Sequence, residues 1–183
     1  MVWPVQLLGD PPAVKLPRGF SIRTYRPGDE NSFFAVMALA GWEGWNDDVL
    51  QPWMAKIIPE SWFMILHEES DTLAATAMGL HNYKGSYPFW SELGWLAADP
   101  DYSGFGLGLN VSAAVTSRLI SAGYQKIQLF TEDYRLPALK TYLRLGYVPS
   151  LYAEGMVERW QEICGQLDWP FTPEEWRSME PSL

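Results

Sequence analysis

The feature that most restricts this chain is a glycine-rich turn that joins a short apolar segment to a long amphipathic one. Segment 92–98 ends at Ala98, passes through Asp99-Pro100-Asp101-Tyr102 and enters Ser103-Gly104-Phe105-Gly106-Leu107-Gly108. Beyond the turn, Leu107, Val111, Ala114, Val115 and Leu119 recur at spacings of three and four, which marks one face of a helix. A strand that turns sharply into a helix points to an α/β architecture. Glycines in such a turn permit φ > 0 and let a ligand come close to the backbone. Successive amides at a helix N-terminus, reinforced by the helix dipole, form an anion site. Phosphate binding is the functional reading of this turn. A tight connection with glycines for packing is the other, and this segment alone leaves both open.

Two common phosphate-binding patterns are not met. A P-loop needs Gly-Lys-Ser or Gly-Lys-Thr, and no lysine follows these glycines. The dinucleotide pattern G-x-G-x-x-G, counted from Gly104 or from Gly106, meets Leu109 or Val111 at its third glycine.

Periodicity orders the rest of the chain. Residues 1–19 are proline-rich and read as an arm packed on the domain. Residues 21–25 alternate as a strand. After the turn Arg26-Pro27-Gly28, Asp29 is placed to cap a helix with Phe33, Val36, Met37 and Ala40 on one face. A second short helix is expected over 49–57, ended by Pro59. Segments 62–67 and 73–83 form an antiparallel hairpin across Glu68-Glu69-Ser70-Asp71, and 83–89 is a loop. Strands follow over 92–98 and 126–131. The next helix carries Leu136, Leu139 and Leu143, with Pro137 in its first turn and Gly146 at its end. A last strand over 147–152, an amphipathic helix over 154–167 and a proline-rich tail complete the order. The expected fold is α/β, a single domain over 1–183 with helices around one mixed sheet, an arm at 1–19 and a C-terminal helix and tail at 154–183.

Composition removes several functions. Of 183 residues, 48% are hydrophobic and 19% charged, as in a globular domain. A net charge of -9 argues against nucleic acid, which needs lysine and arginine to displace counterions, and suits a cationic or neutral partner. No apolar run approaches the ~20 residues that span a bilayer, so no membrane partner is expected. The N-terminus lacks the basic start and apolar run of a signal peptide, so the expected location is cytoplasmic. Cys164, the only cysteine, cannot form an internal disulfide. With Trp160, Ile163 and Leu167 at helical spacing around it, it reads as a buried thiol. His67 and His81, the only histidines, lack ligand spacing, and no metal is expected.

Residues 92–149 carry a family resemblance. ELGWLAADPDYSGFGLG resembles the coenzyme A-binding segment of the GCN5-related N-acetyltransferases (GNAT), whose signature Arg/Gln-x-x-Gly-x-Gly/Ala follows a strand that ends in a proline. Gly106 and Gly108 are the two glycines, and Ser103 stands where a longer side chain is usual. RLPALKTYLRLGY is similar to a second family segment, with Ala138, Tyr142, Leu145, Gly146 and Tyr147 in place and Arg135 where asparagine is usual. The longer phrase TEDYRLPALKTYLRLGY also resembles the matching segment of the mycothiol synthases and their single-domain relatives. The element order follows the family over 20–152. The arm and the C-terminal helix have no counterpart in the minimal fold.

The resemblance implies a mostly antiparallel sheet in which the parallel strands 92–98 and 126–131 splay apart around acetyl-CoA. Backbone groups of Leu96 and Ala98 would pair with the pantetheine arm. The turn from Ser103 and Gly104 through the amides of Phe105, Gly106, Leu107, Gly108 and Leu109 would hold the pyrophosphate. Arg135 contacts a coenzyme phosphate or is a solvated helix-start arginine. Glu92 takes the position of the general base, with Glu43 and Asp47 as rivals or as contacts to a cationic substrate. Tyr142 takes the position of the acid that protonates the departing thiolate. The loop 41–48, with Trp42, Glu43, Trp45 and Asp47, would form one wall of the acceptor site, and Trp90 and Tyr87 the other. The expected function is transfer of acetyl from acetyl-CoA to a small cationic primary amine, by a monomer or homodimer. Peptide N-termini and protein lysines stay open as acceptors. A sensor of the same fold that binds acyl-CoA without transfer is the alternative. An NAD-dependent enzyme is a third reading that the glycine spacing disfavours.

Overall fold

In the computed structural model, residues 1–81 and 89–179 are described. Strand β1 (Phe20–Thr24) is followed by helices α1 (Glu30–Leu39) and α2 (Asp47–Met54), then by β2 (Ile57–His67), β3 (Thr72–His81) and β4 (Trp90–Ala98). Helix α3 (Leu107–Ser121), β5 (Lys126–Gln128), α4 (Leu136–Leu145), α5 (Met156–Leu167) and α6 (Pro173–Met179) complete the chain. The strands lie in the order β1-β2-β3-β4-β5. Neighbours are antiparallel except β4 and β5, which are parallel. This is the mixed, mostly antiparallel sheet expected.

Two cores cover the sheet. On one face, Leu107, Val111, Val115 and Leu119 of α3 pack on Ile65, Ala75, Ala77 and Leu93, with Tyr142 of α4 beside them. On the other, Phe33, Val36 and Met37 of α1 and Leu50 of α2 pack on Trp62, Met64, Met78 and Leu80. Strand β3 lies between them and is buried from Leu73 to Leu80, so its run of small and apolar residues serves both layers.

Several local expectations change. Helix α2 starts at Asp47 because the Asn46 side chain accepts the Val49 N–H at 3.0 Å. It ends at Met54, and residues 57–61 belong to β2, where the register is irregular and Pro59 costs no ladder bond. Asp29 occupies the cap position of α1 without capping it. Its carboxylate instead takes the Arg23 guanidinium at 2.6 and 2.8 Å and the Arg26 N–H at 2.7 Å, which ties the turn to β1. The proline-rich tail contains α6, whose Trp176 meets Trp160 and Phe171 edge-on. Cys164 is buried, and burial raises its thiol pKa.

The expected strand over 147–152 is absent. Only Val148 pairs, in an isolated bridge to Val2. Pro149 has no N–H to extend a ladder. The arm takes the place beside β5: the Trp3 N–H bonds the Ile127 carbonyl at 2.8 Å and the Leu129 N–H bonds the Met1 carbonyl at 2.9 Å. Trp3 is 2% exposed and meets Tyr147 edge-on at 5.1 Å. Trp3→Ala should therefore destabilise the fold by about 3–5 kcal/mol, as for other buried large-to-small changes. Urea unfolding measures this, and an unchanged midpoint would mean that the arm contributes nothing to the core.

Candidate active site

The site is built where β4 and β5 part. Their register runs Trp90↔Lys126, Ser91↔Ile127 and Glu92↔Gln128, and pairing stops there. From Leu93 to Ala98 the outer edge of β4 has no strand partner among the described residues. Such an edge offers backbone N–H and C=O groups to an extended ligand. A bulge adds to the divergence. Trp95 and Leu96 together face the single residue Ala77, between the pairs Met78↔Gly94 and Thr76↔Ala97. Trp95 sits at φ +52, a conformation that non-glycine residues rarely adopt. Trp42, Trp45 and Trp53 hold it by edge contacts at 5.3, 4.7 and 4.8 Å. The sequence shows these tryptophans but not the bulge they support.

A cavity of about 320 Å³ occupies the splay, with Trp42, Glu92, Trp95, Glu132, Arg135 and Tyr142 in its wall. A groove of about 440 Å³ runs from Leu96 and Ala98 along the glycine turn to Thr141 and Arg144. The two share Leu96, Arg135 and Ala138, so they form one continuous cleft.

At the inner end of the cleft, Glu92 is 6% exposed. Its register partner Leu80 belongs to the core under α1 and α2, which fixes the face that Glu92 presents. Tyr142, also 6% exposed, comes from α4 on the opposite face. The two line one cavity because the sheet is open there. Burial pushes the Tyr142 pKa well up, while the charge of Arg135 pulls it down and those of Glu132 and Glu92 raise it. The phenol is therefore held protonated at neutral pH.

At the outer end, α3 starts from Gly106 at φ +70, a conformation suited to glycine. The Asn110 amide donates to the Gly106 carbonyl at 3.0 Å and accepts the Lys15 N–H at 2.6 Å, so the arm braces the start of the helix. A Cβ at Gly108 would meet nothing within 4 Å, which leaves the first turn open to the groove. The first-turn amides of a helix have no intrahelical acceptor and can serve an anion.

The predicted residues fall into three groups. Leu96, Ala98, Ser103, Gly104, Gly106, Leu107, Gly108, Leu109 and Arg135 all line the outer groove. Phe105 is half exposed and turns its ring to Phe20 at 5.3 Å. Of the acceptor set, Trp42 lines the cavity, and Trp45 packs on Trp95 and, at 5.0 Å, on Phe33. Glu43 and Asp47 are exposed and stand outside the cavity wall. Trp90 lies at the far end of the β4–β5 pairing, with the Lys126 ammonium 5.6 Å from its ring centre. Tyr87 lies outside the described residues. Glu132 was not anticipated: it lines the cavity and accepts from Arg135 at 2.8 Å. Its position three residues before Arg135, in TEDYR, was the available signal. Among the described residues no cluster of histidine, cysteine or carboxylate side chains could hold a metal. No described helix is long and apolar enough to cross a membrane.

The site thus joins a splayed parallel pair, a glycine-started helix and a cavity lined by both Glu92 and Tyr142. The sequence model of the acetyltransferase (GNAT) family matches residues 30–147, and the chain belongs to that family. The mycothiol acetyltransferase of Actinosynnema mirum is 29% identical over 149 residues, covering 78% of this chain and 49% of that protein. The one from Rhodococcus erythropolis is 30% identical over 146 residues, covering 74% and 49%. The chain thus spans about half the length of the curated relatives it matches. Among solved structures, a GCN5-related N-acetyltransferase from Sphaerobacter thermophilus aligns with a TM-score of 0.60 at 23% identity, over 74% of this chain and 43% of that one. The ribosomal-protein-S18-alanine N-acetyltransferase of Escherichia coli aligns at 0.57 and 19%, over 72% and 79%. These structures share the fold.

Proposed function

We propose that this chain transfers the acetyl group of acetyl-CoA to a primary amine that is small and cationic. The observation that carries the reading is that Glu92 and Tyr142, from opposite faces of the sheet, line one cavity at the inner end of the glycine-turn groove. The pantetheine arm runs along the open edge of β4, and the pyrophosphate sits on the first-turn amides of α3. The acceptor enters from the face of α1 and α2. Its ammonium loses a proton to Glu92, directly or through water. The neutral amine attacks the thioester carbonyl and forms the C–N bond. The C–S bond then breaks as the sulfur takes the Tyr142 proton. The second proton on the acylated nitrogen passes through water to restore the phenol, and Glu92 releases its proton to solvent.

The cationic character rests on the wall of the cavity. Trp42 and Trp95 offer aromatic surface and Glu92 offers negative charge, while Glu132 is paired with Arg135 in the same wall. Glu43 and Asp47 act at the entrance, where exposed carboxylates attract a cation before it enters. The test is release of free coenzyme A thiol from acetyl-CoA across a panel of amines. It includes aminoglycosides, peptide N-termini and the acceptor of mycothiol acetyltransferase. Thiol should appear with a cationic amine, and Glu43→Gln and Asp47→Asn should raise KM more than they lower kcat. Activity confined to an anionic acceptor would end the cation-site reading. Tight acetyl-CoA binding without thiol release from any amine would favour the acyl-CoA-binding sensor over the enzyme.

A further inference from the structure

The sheet separates α1 and α2 from α3 and α4, so side chains of the two layers meet where it is open. One such meeting has no counterpart in the acid–base pair. The Arg135 guanidinium lies 3.9 Å from the centre of the Trp42 ring. Arg135 stands at the start of α4, and Trp42 in the connection between α1 and α2. The stack therefore passes through the splay and spans the cleft.

The surroundings hold the arginine in this pose. Its Nε donates to Glu132 at 2.8 Å, and the Tyr134 ring centre is 5.2 Å from the guanidinium carbon. The side chain is 21% exposed. A guanidinium carries several further N–H donors in one plane. Arg135 borders both the inner cavity and the outer groove, so those donors lie at the passage that joins them. An asparagine at this position would be too short to reach Trp42 across the opening.

Building on the acetyl-CoA reading, we infer that Arg135 is a positioning residue that straps the cleft over the arm of the bound coenzyme. Seating the coenzyme under the strap fixes Trp42, and with it the connection that walls the acceptor end. The strap thus links the coenzyme groove to the wall of the acceptor end.

Calorimetric titration with coenzyme A tests the strap on the whole chain. A cation–π contact shielded from water corresponds to roughly a tenfold change in a binding constant. Arg135→Ala and Trp42→Leu should each weaken binding by about that factor. The double variant should lose less than the sum of the two single losses, because both remove the same stack. Trp42→Leu also loses the Trp95 edge contact, and Arg135→Ala the Glu132 pair. Trp42→Phe, which keeps a ring face, should stay close to the parent. Arg135→Lys, which keeps the charge but not the planar stack, should fall between. Hydrogen exchange supplies a second readout. Coenzyme A at saturation should slow amide exchange over residues 40–46 in the parent and not in Arg135→Ala. Losses that simply add, or protection retained in Arg135→Ala, overturn the strap. If the parent fails to bind coenzyme A, the acetyl-CoA reading falls and the strap falls with it. Equal binding by parent and variants removes the strap alone.

Discussion

Tyr142→Phe should lower kcat by about 100-fold or more while coenzyme A binds as it does to the parent. The substitution removes one hydroxyl from a buried ring whose neighbour Tyr147 lies 6.2 Å away, so packing survives. What is lost is the donor that meets the charge growing on sulfur as the C–S bond breaks. Burial keeps that donor protonated, so Tyr142 should produce no fall in kcat between about pH 7 and pH 9, well below even the ordinary phenol value. The same burial makes full ionisation of the phenol unfavourable. Proton transfer must therefore accompany bond breaking and cannot precede it. It follows that the penalty of Tyr142→Phe should shrink for an acetyl thioester of a more acidic thiol, which leaves without help. Single-turnover kinetics with both thioesters measure this. A parent-like rate with chemistry rate-limiting would return Tyr142 to a packing role.

The parts of the fold legible in the sequence are those written within a few consecutive residues. The strand-to-helix turn at Ser103 to Gly108 is one, because positive φ demands glycine at Gly104 and Gly106. The apolar stripe of α3 and the Pro137 and Gly146 boundaries of α4 are others. Glu92 and Tyr142 could be nominated because the resemblance to the acetyltransferase segments places a base and an acid at their positions.

What stayed hidden depends on pairing over long distances. The bulge at Trp95 exists only relative to Ala77 on the neighbouring strand. The place beside β5 is filled by Met1 to Trp3, from the other end of the chain, and Pro149 alone hints that 147–152 cannot fill it. Trp90 looked like a wall of the acceptor site because it is close to Glu92 in sequence. Along β4, however, the chain runs from Trp90, where the strands are paired, to the splay beyond Glu92. Residue type in the 41–48 loop did not say which side chains turn inward. The structure turns Trp42 to the cavity and leaves Glu43 and Asp47 exposed. The Arg135–Trp42 stack joins segments far apart in sequence and could not be read from either.

Gly108→Glu asks most directly whether the cleft is a coenzyme A site. Gly106, at φ +70, is a poor place for this test because any side chain there strains the backbone. Gly108 is the second residue of α3 and has open space where a Cβ would go. Glutamate is better in a helix than glycine by several tenths of a kcal/mol, and a negative charge in the first turn complements the dipole. The fold should therefore be as stable as the parent or more so. The same carboxylate stands where the pyrophosphate would rest, and like charges brought together cost several kcal/mol. Calorimetric titration with coenzyme A, beside thermal unfolding without it, separates the two effects. The parent should bind coenzyme A and not NAD, and its Tm should rise with coenzyme concentration by mass action. Gly108→Glu should unfold at the parent's temperature or above it and bind coenzyme A at least ~100-fold more weakly, the equivalent of about 2.7 kcal/mol. A folded Gly108→Glu variant that binds coenzyme A as tightly as the parent would contradict the account.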